Sequence, residues 1–346
     1  MYLRNSWYVA AWPHEISDRP FARTILEEPI VFYRKTDGSV AALEDRCAHR
    51  HAPLHLGRVK GDHLECGYHG LVFDCTGRCV KVPAQDQIPP KARVKSYPVA
   101  EKHGWVWIWM GAAERAPSTP IPDFTRMSDP AGAPTGTTNH VRCSYELIND
   151  NLLDLSHVGY VHGSTIGNNE MGEKGRIRVT RTDKGIRVTR WVIDCAPPPT
   201  YLRSGLFVES DRLDRWQIID FEPPCFVQIY VGGAKTGTGA LEGNRVGGLG
   251  MWIMNAATPE TAGTTQYFWG VARDFKIDNP QVTDALHKEI ATAFQQDKDI
   301  LEEQQKVIHL FVDPENVDIV ADAGGIQARR LLRQLIRSDG DARAIA

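Results

Sequence analysis

The chain has 346 residues, with 40 Lys plus Arg against 43 Asp plus Glu for a formal charge of −3, and is 42% hydrophobic and 24% charged. These proportions exclude a disordered chain, a collagen-like repeat and a disulfide-framed mini-protein. The length predicts two domains, each able to bury its own core.

A near-neutral balance without long basic runs gives no electrostatic footprint for nucleic acid. No run approaches the ~20 apolar residues of a membrane span. At the N-terminus, Arg4, Asn5 and Trp12-Pro13-His14-Glu15 interrupt any signal-peptide order of charge, apolar stretch and cleavage site, so a cytoplasmic protein is expected. Seven cysteines, odd in number and scattered, argue against a disulfide framework, and in a reducing compartment clustered Cys and His read as metal ligands.

In chain order, Ile30–Tyr33 and Ser39–Leu43 read as strands joined by a hairpin turn at Asp37-Gly38. Trp105 to Met110 is apolar on both faces, Trp105, Trp107 and Trp109 on one and Val106, Ile108 and Met110 on the other, which predicts a strand buried between layers. Prolines 117, 120, 122, 130 and 134 then crowd together, so residues 116–136 are expected to link a domain at 1–115 to one at 137–346. Beyond the linker, Cys143 to His162 has helical spacing, and Arg176 to Val271 reads as an antiparallel meander with turns at Asp183–Gly185 and at Gly232-Gly233. Lys235 to Gly248 reads as a mobile loop, and Thr283 to Leu310 as a long amphipathic helix.

Two constellations carry chemistry. Cys47-Ala-His49 and Cys66-Gly-Tyr-His69 are sixteen residues apart, each at a predicted strand end. A zinc finger usually pairs Cys with Cys and His with His on a helix. One thiolate and one imidazole from each loop instead suit a two-iron cluster in which Cys holds one iron and His the other, because neutral imidazoles raise the potential. Pro53, Gly57, Gly67 and Gly70 permit the tight turns, while Cys75 and Cys79 read as bystanders or as a local bridge.

The second constellation is Asp154-x-x-His157-x4-His162. Asp154 and His157, three apart, are expected on one helix face. His162 lies about 140° further round a regular helix, so both imidazoles reach one metal only if the helix loosens, with Gly159 the expected place. Two His and one carboxylate form the facial triad of non-haem Fe(II), which leaves positions open. Asp297 shares the apolar stripe of Ile290, Phe294, Leu301 and Ile308, whereas Asp299 falls on the wet side. A carboxylate on such a stripe is costly without a cation, so Asp297 is the expected third ligand, with Asp313, Asp318 and Asp322 as weaker substitutes. Asn151, from its side-chain type, can cap or hydrogen-bond within its own helix. Trp216, Tyr230, Trp252, Asn255, Tyr267, Phe268 and Trp269 are equally candidates for pocket wall or core.

With Cys47-x-His49-Arg50, Cys66-x-x-His69-Gly70 and Asp154-x-x-His157-x4-His162 in one chain, the sequence resembles the oxygenase (α) component of Rieske non-haem iron oxygenases. Asn5-x-Trp7-Tyr-Val-Ala10, the loop Thr236-Gly-Thr-Gly-x-x-Glu242-Gly and Ala321-Asp-Ala-Gly-Gly-Ile-Gln-Ala-Arg329 resemble the branch of vanillate O-demethylase, dicamba monooxygenase and toluenesulfonate methyl-monooxygenase, nearest the last.

The resemblance implies an α+β chain: an all-β Rieske [2Fe-2S] domain followed by a helix-grip catalytic domain with a curved antiparallel sheet, assembled as a homotrimer. It implies a [2Fe-2S] cluster on Cys47, His49, Cys66 and His69, and mononuclear Fe(II) on His157, His162 and Asp297. Asp154 would bridge His157 to a neighbouring subunit's cluster histidine, matching His69, and Asn151 would lie beside the iron. Electrons would come from an NAD(P)H-dependent flavin/iron–sulfur reductase, and O2 would be used to hydroxylate a methyl, methoxy or N-alkyl group of a small aromatic substrate. Ring cis-dihydroxylation of the phthalate type, and a non-enzymatic electron carrier, are the alternative readings. Neither nucleic acid nor membrane is an expected partner.

Overall fold

The structure is a computed structural model that describes the chain except residues 164, 168–169, 171–174, 312–315 and 345–346, with the backbone alone at 341–344. It divides into two units, Met1–Asp123 with Thr258–Thr261, and Phe124–Ala257 with Ala262–Ala346. Among the described residues no helix is long and apolar enough to cross a membrane.

The N-terminal unit is built from three small antiparallel sheets. In the first, Trp105–Met110 is the middle strand between Ser6–Ala11 and Val99–Lys102, and all six of its side chains are buried, as expected of a strand apolar on both faces. The second orders Phe21–Ile25, Glu28–Arg34 and Val40–Glu44. Its last hairpin turns at Asp37-Gly38 as predicted, Gly38 taking the left-handed φ of +84° that a side chain resists. The third sheet has four strands from Arg58–Lys60 to Cys79–Lys81, and the Cys66–His69 loop joins its second and third strands, whereas the Cys47–His49 loop follows Val40–Glu44 of the second sheet. Cys47, Cys66 and Cys79 belong to one core with Tyr33, Leu43, Leu64 and Phe73.

In the C-terminal unit the strands follow chain order across a seven-stranded antiparallel sheet, from Arg176–Arg181 at one edge through Ile186–Cys195, Leu213–Glu222, Phe226–Lys235 and Leu249–Thr261 to Thr264–Arg273. The strand Thr135–Val141 closes the other edge. The helix Pro280–Leu310 starts with Pro280 at its first position, where a missing N–H costs nothing, and Asn279 accepts from the N–H groups of Gln281 and Val282. Its apolar stripe lies on the sheet, with Phe294 edge-on to Tyr267 at 5.3 Å and to Trp269 at 5.2 Å. This is the expected helix-grip arrangement, a sheet holding a long helix against one face.

Gly232-Gly233 is not a turn. The pair lies inside the strand Phe226–Lys235, and the chain reverses one step earlier, between Glu222 and Phe226. A Cβ on Gly232 would sit 2.1 Å from the Trp216 ring, and one on Gly233 would sit 3.0 Å from the Tyr201 ring and 3.3 Å from Arg215 Cγ. The glycines therefore make room for side chains across both faces of the sheet, which a sequence pattern does not separate from a turn signal. Gly324-Gly325 does similar work at the start of the C-terminal helix Ala323–Ala344, where a Cβ on Gly324 would meet Val188 at 2.5 Å.

Candidate active site

In the N-terminal unit the two Cys-His loops have the same construction. Cys47 N–H donates to the Ala52 carbonyl while the Cys47 carbonyl accepts from His51. Likewise Cys66 N–H donates to the Leu71 carbonyl while the Cys66 carbonyl accepts from Gly70. The residue that closes each loop, His51 (φ 58°) or Gly70 (φ 72°), is left-handed. Both thiols are thus buried at the loop base and both imidazoles stand exposed above, with the rings of His49 and His69 4.7 Å apart and edge-on. Burial pushes the Cys47 thiol up to about 11, and the adjacent Cys66 thiol adds to the shift against the lowering effect of the backbone N–H groups of His49 and Arg50. A buried Cys47 thiol that resists ionisation without a cation, beside the buried Cys66 thiol and below two neighbouring imidazoles, fits a Cys2His2 iron–sulfur cluster. All seven cysteines are free, so Cys75 and Cys79 form no bridge.

The helix Tyr145–Leu153 ends at Asp154, which is extended (φ −116°, ψ 95°). The loosening expected at Gly159 therefore comes earlier, and Asp154 and His157 do not share a helix face. The Asp154 carboxylate instead caps a new 3-10 turn, Leu155–His157, accepting from Ser156 N–H and Ser156 Oγ at 2.8 Å each. A short helix, Val158–Val161, then carries the chain to His162. The polar cap residue outcompeted the glycine because it offers the turn's unpaired N–H groups an acceptor.

That break brings three distant residues together. One donor atom from each of His157, His162 and Asp297 lies within 4.8 Å of the others, the only such group of His, Cys, Asp and Glu among the described residues. Asp297 Oδ1 is 3.4 Å from His157 Nε2 and 3.0 Å from His162 Nε2. Metal–donor lengths near 2.1 Å put adjacent corners of an octahedron about 3 Å apart, so the three fit one face of a metal's coordination sphere.

Both Nε2 atoms are presented by fixed tautomers. His157 Nδ1–H donates to the Asp154 carbonyl at 2.6 Å, and His162 Nδ1–H to Gln296 Oε1 at 2.9 Å. Asn151 Nδ2 donates to Asp297 Oδ1 at 3.1 Å, so it holds the carboxylate rather than its own helix.

Burial holds His157 below its ordinary pKa despite Asp297. At His162 burial also opposes the charge, but the hydrogen bond and charge of Asp297 and the bond to Gln296 outweigh it and raise the pKa. Asp297 is buried and Asp299 exposed, as the stripe predicted. Asp318 and Asp322 are not in the donor group, and Asp313 lies outside the described residues.

The donors stand on a wall between two cavities. One, about 670 Å³ of empty space with its open mouth included, is mainly apolar, bounded by Leu152, Ile229, Val231, Met251, Ile253 and Phe294. The other is polar and includes Asp150, Asp154, Asp318 and Arg329; Asn151, His157 and Asp297 face both.

None of the seven aromatic and Asn candidates lines the apolar cavity. Trp216, Tyr230 and Trp252 are on the opposite face of the sheet, stacked beneath Arg245 and Arg126, while Tyr267 and Trp269 support Phe294 from below. The residues missed by sequence reasoning are Gln296, Tyr201, Arg215 and Gln217. Strand alternation would place Arg215 and Gln217 together opposite Trp216, but only the sheet's packing tells which face is the inner one.

Residues 6–98 match the Rieske [2Fe-2S] domain, and residues 141–338 match the vanillate O-demethylase oxygenase C-terminal domain. The chain belongs to the Rieske non-haem iron oxygenases, as the oxygenase component of a monooxygenase system, and its cofactors are a [2Fe-2S] cluster and a mononuclear iron.

It is 40% identical to the iron–sulfur subunit of a toluene-4-sulfonate monooxygenase system of Comamonas testosteroni, over 99% of this chain and all of that one. It is 37% identical to a vanillate O-demethylase oxygenase subunit of a Pseudomonas species, over 99% and 97%. Among solved structures, dicamba monooxygenase with 3,6-dichlorosalicylic acid superposes with a TM-score of 0.91 at 32% identity, over 98% of this chain and 99% of that one. Dicamba monooxygenase has also been solved with non-haem iron and dicamba.

Proposed function

We propose that the enzyme hydroxylates a methyl, methoxy or N-alkyl group of a substituted aromatic compound, with Cys47, His49, Cys66 and His69 (domain 1–115) holding the cluster and His157, His162 and Asp297 (domain 137–346, after a linker at 116–136) holding the iron. One observation carries the reading: a facial triad of donors, Asp297 and His162 buried and His157 partly so, lines a mainly apolar cavity. When bound, the cluster supplies electrons one at a time and the iron supplies O2 activation beside the substrate.

The protein's part is placement. The Asp154 carbonyl and Gln296 aim the two imidazoles, Asn151 orients Asp297, and the apolar walls exclude water and direct the substrate's methyl end toward the triad. A hydroxylated methoxy or N-methyl carbon leaves as formaldehyde, whereas an aryl methyl remains as the alcohol.

Asp154 is the proposed electron bridge, within a homotrimer, from a partner's cluster histidine to His157. Two features support it: its carboxylate reaches the polar cavity on the far side of the donors from the substrate space, and the imidazoles of His49 and His69 are exposed. The physiological donor is a separate reductase, proposed to be an NAD(P)H-dependent flavin/iron–sulfur protein, and the assembly is proposed to be cytoplasmic.

The test is a screen of methylated and methoxylated aromatic acids, sulfonates and N-alkyl anilides with a surrogate reductase under labelled O2. Formaldehyde or alcohol carrying one labelled oxygen is expected. Two labelled atoms in a ring diol would replace this reading with cis-dihydroxylation, and no oxidised product with two rather than three Fe per chain would replace it with electron transfer. Asp154→Asn, which still caps Ser156, is expected to keep both metal centres and lose nearly all turnover; wild-type rates would reject the bridge.

A further inference from the structure

The lining of the apolar cavity holds polar side chains besides the candidate iron donors. Arg215 and Gln217, alternate residues of the strand Leu213–Glu222, line it from the sheet, while the candidate iron ligands line it from the helical side. Both are about 4% exposed. Among the described lining residues, Arg215 is the cationic side chain that the sheet contributes.

Three details show that the Arg215 end is built. Its guanidinium lies over the Tyr201 ring at 4.8 Å, a cation–π contact that helps hold it in place. Opposite it in the register stands Gly233, where a Cβ would approach both Arg215 and Tyr201, so the neighbouring strand leaves space for this pair. Beside it, Gln217 Oε1 is buried with no hydrogen-bond partner, a polar atom kept in an apolar wall.

We propose that Arg215, supported by Tyr201 and flanked by Gln217, is the anion-binding end of this cavity, so that the enzyme selects aromatics bearing a carboxylate or sulfonate and presents their opposite, methyl-bearing end to the triad. The inference rests on the oxygenase reading above and adds the substrate class. A guanidinium meets two oxyanion oxygens with two parallel charge-assisted N–H bonds, whereas a carboxamide offers it one acceptor oxygen and a sulfonamide two, in both cases without the negative charge. The Gln217 amide, accepting as drawn or donating when turned over, meets a neighbouring polar substituent or the remaining oxygen.

The test uses the purified holoenzyme and two matched pairs, 4-methoxybenzoate against 4-methoxybenzamide and 4-methylbenzenesulfonate against 4-methylbenzenesulfonamide. Binding is followed by calorimetry and, in parallel, oxidised product is scored. Wild type is expected to bind one or both acids roughly tenfold to a hundredfold more tightly than the matching amide, and the pair that shows the preference identifies the anion.

Arg215→Gln is expected to abolish that acid-over-amide preference and Arg215→Lys to retain part of it, with the cluster's visible absorption reporting an intact fold. Equal wild-type affinity for acid and amide in both pairs, or a full preference surviving in Arg215→Gln, overturns the proposal, and the first of these needs no variant. Preferential binding of acids without oxidised product would instead overturn the oxygenase reading while supporting the anion site. Oxidation of amides and acids alike, at equal affinity, would do the reverse.

Discussion

In the N-terminal unit, four candidate donors come from two short loops of identical hydrogen bonding, each complete within six residues. The donors of the C-terminal unit are far apart in sequence, His157 and His162 between the sheet's edge strand Thr135–Val141 and its other six strands and Asp297 after the last of them, and meet only because a helix lies on that sheet. The first site is a property of local backbone, with thiols in a core and imidazoles in solvent. The second is a property of packing, with His162 and Asp297 buried and His157 partly so, held by neighbours such as Gln296 and Asn151 that are not themselves donors. A locally built site should fail independently of its surroundings, whereas a packed site should respond to residues around it.

The largest effects separate the two sites outright. Asp297→Ala is expected to reduce iron from about three to about two per chain, keep the cluster's visible spectrum and cut turnover more than a hundredfold; iron retained at wild-type level would move the third ligand elsewhere. Cys66→Ser is expected to do the converse, bleaching the cluster while mononuclear iron remains, as metal analysis and absorption spectroscopy would show. Loss of both centres in either variant would break the independence of the two plans.

Gln296→Leu sharpens the comparison at a residue that binds no metal. It frees the His162 ring, so mononuclear iron affinity is expected to fall about ten- to a hundredfold with the cluster untouched, measured by competition with a chelator. Unchanged affinity would make the packed site as self-sufficient as the loops.

The smallest expected effect is on pH dependence. Asp150, partly buried in the polar cavity, is raised to about 7 by desolvation, and its ion pair with Arg329 at 2.9 Å opposes the shift only in part. The folded state therefore keeps a proton that the unfolded chain has released above pH 4, and this group's contribution to stability falls as pH rises from about 4 to about 7. Asp150→Asn is expected to flatten that part of the profile, so that its urea midpoint, relative to wild type, is higher at pH 8 than at pH 5. Parallel profiles would show that Asp150 stays ionised throughout.

The legibility of the two sites follows the same division. The Cys-His loops could be read directly, because ligand type and backbone closure lie in adjacent residues. Asp297 could be read because a carboxylate on an apolar stripe of one regular helix is anomalous whatever the stripe packs against. Reading failed where the deciding contact was non-local: Gly232-Gly233 looked like a turn but clears space for Trp216, Tyr201 and Arg215, and the aromatic residues taken as pocket candidates face away from the cavity or lie beneath its wall. It also failed at Asp154, where a capping carboxylate, rather than the following glycine, ended the helix.

The sequence by itself determined the chemistry available to this protein, the soft and hard metal donors, their spacing and the helix and strands that carry them, because these depend on side-chain type and short-range backbone geometry. Tertiary structure alone decided which face of each strand turns inward, and so that Arg215 and Gln217 share a cavity with the iron donors. A strand's two faces differ by one residue in register, and that choice is made by burying apolar area against a helix far away in the chain.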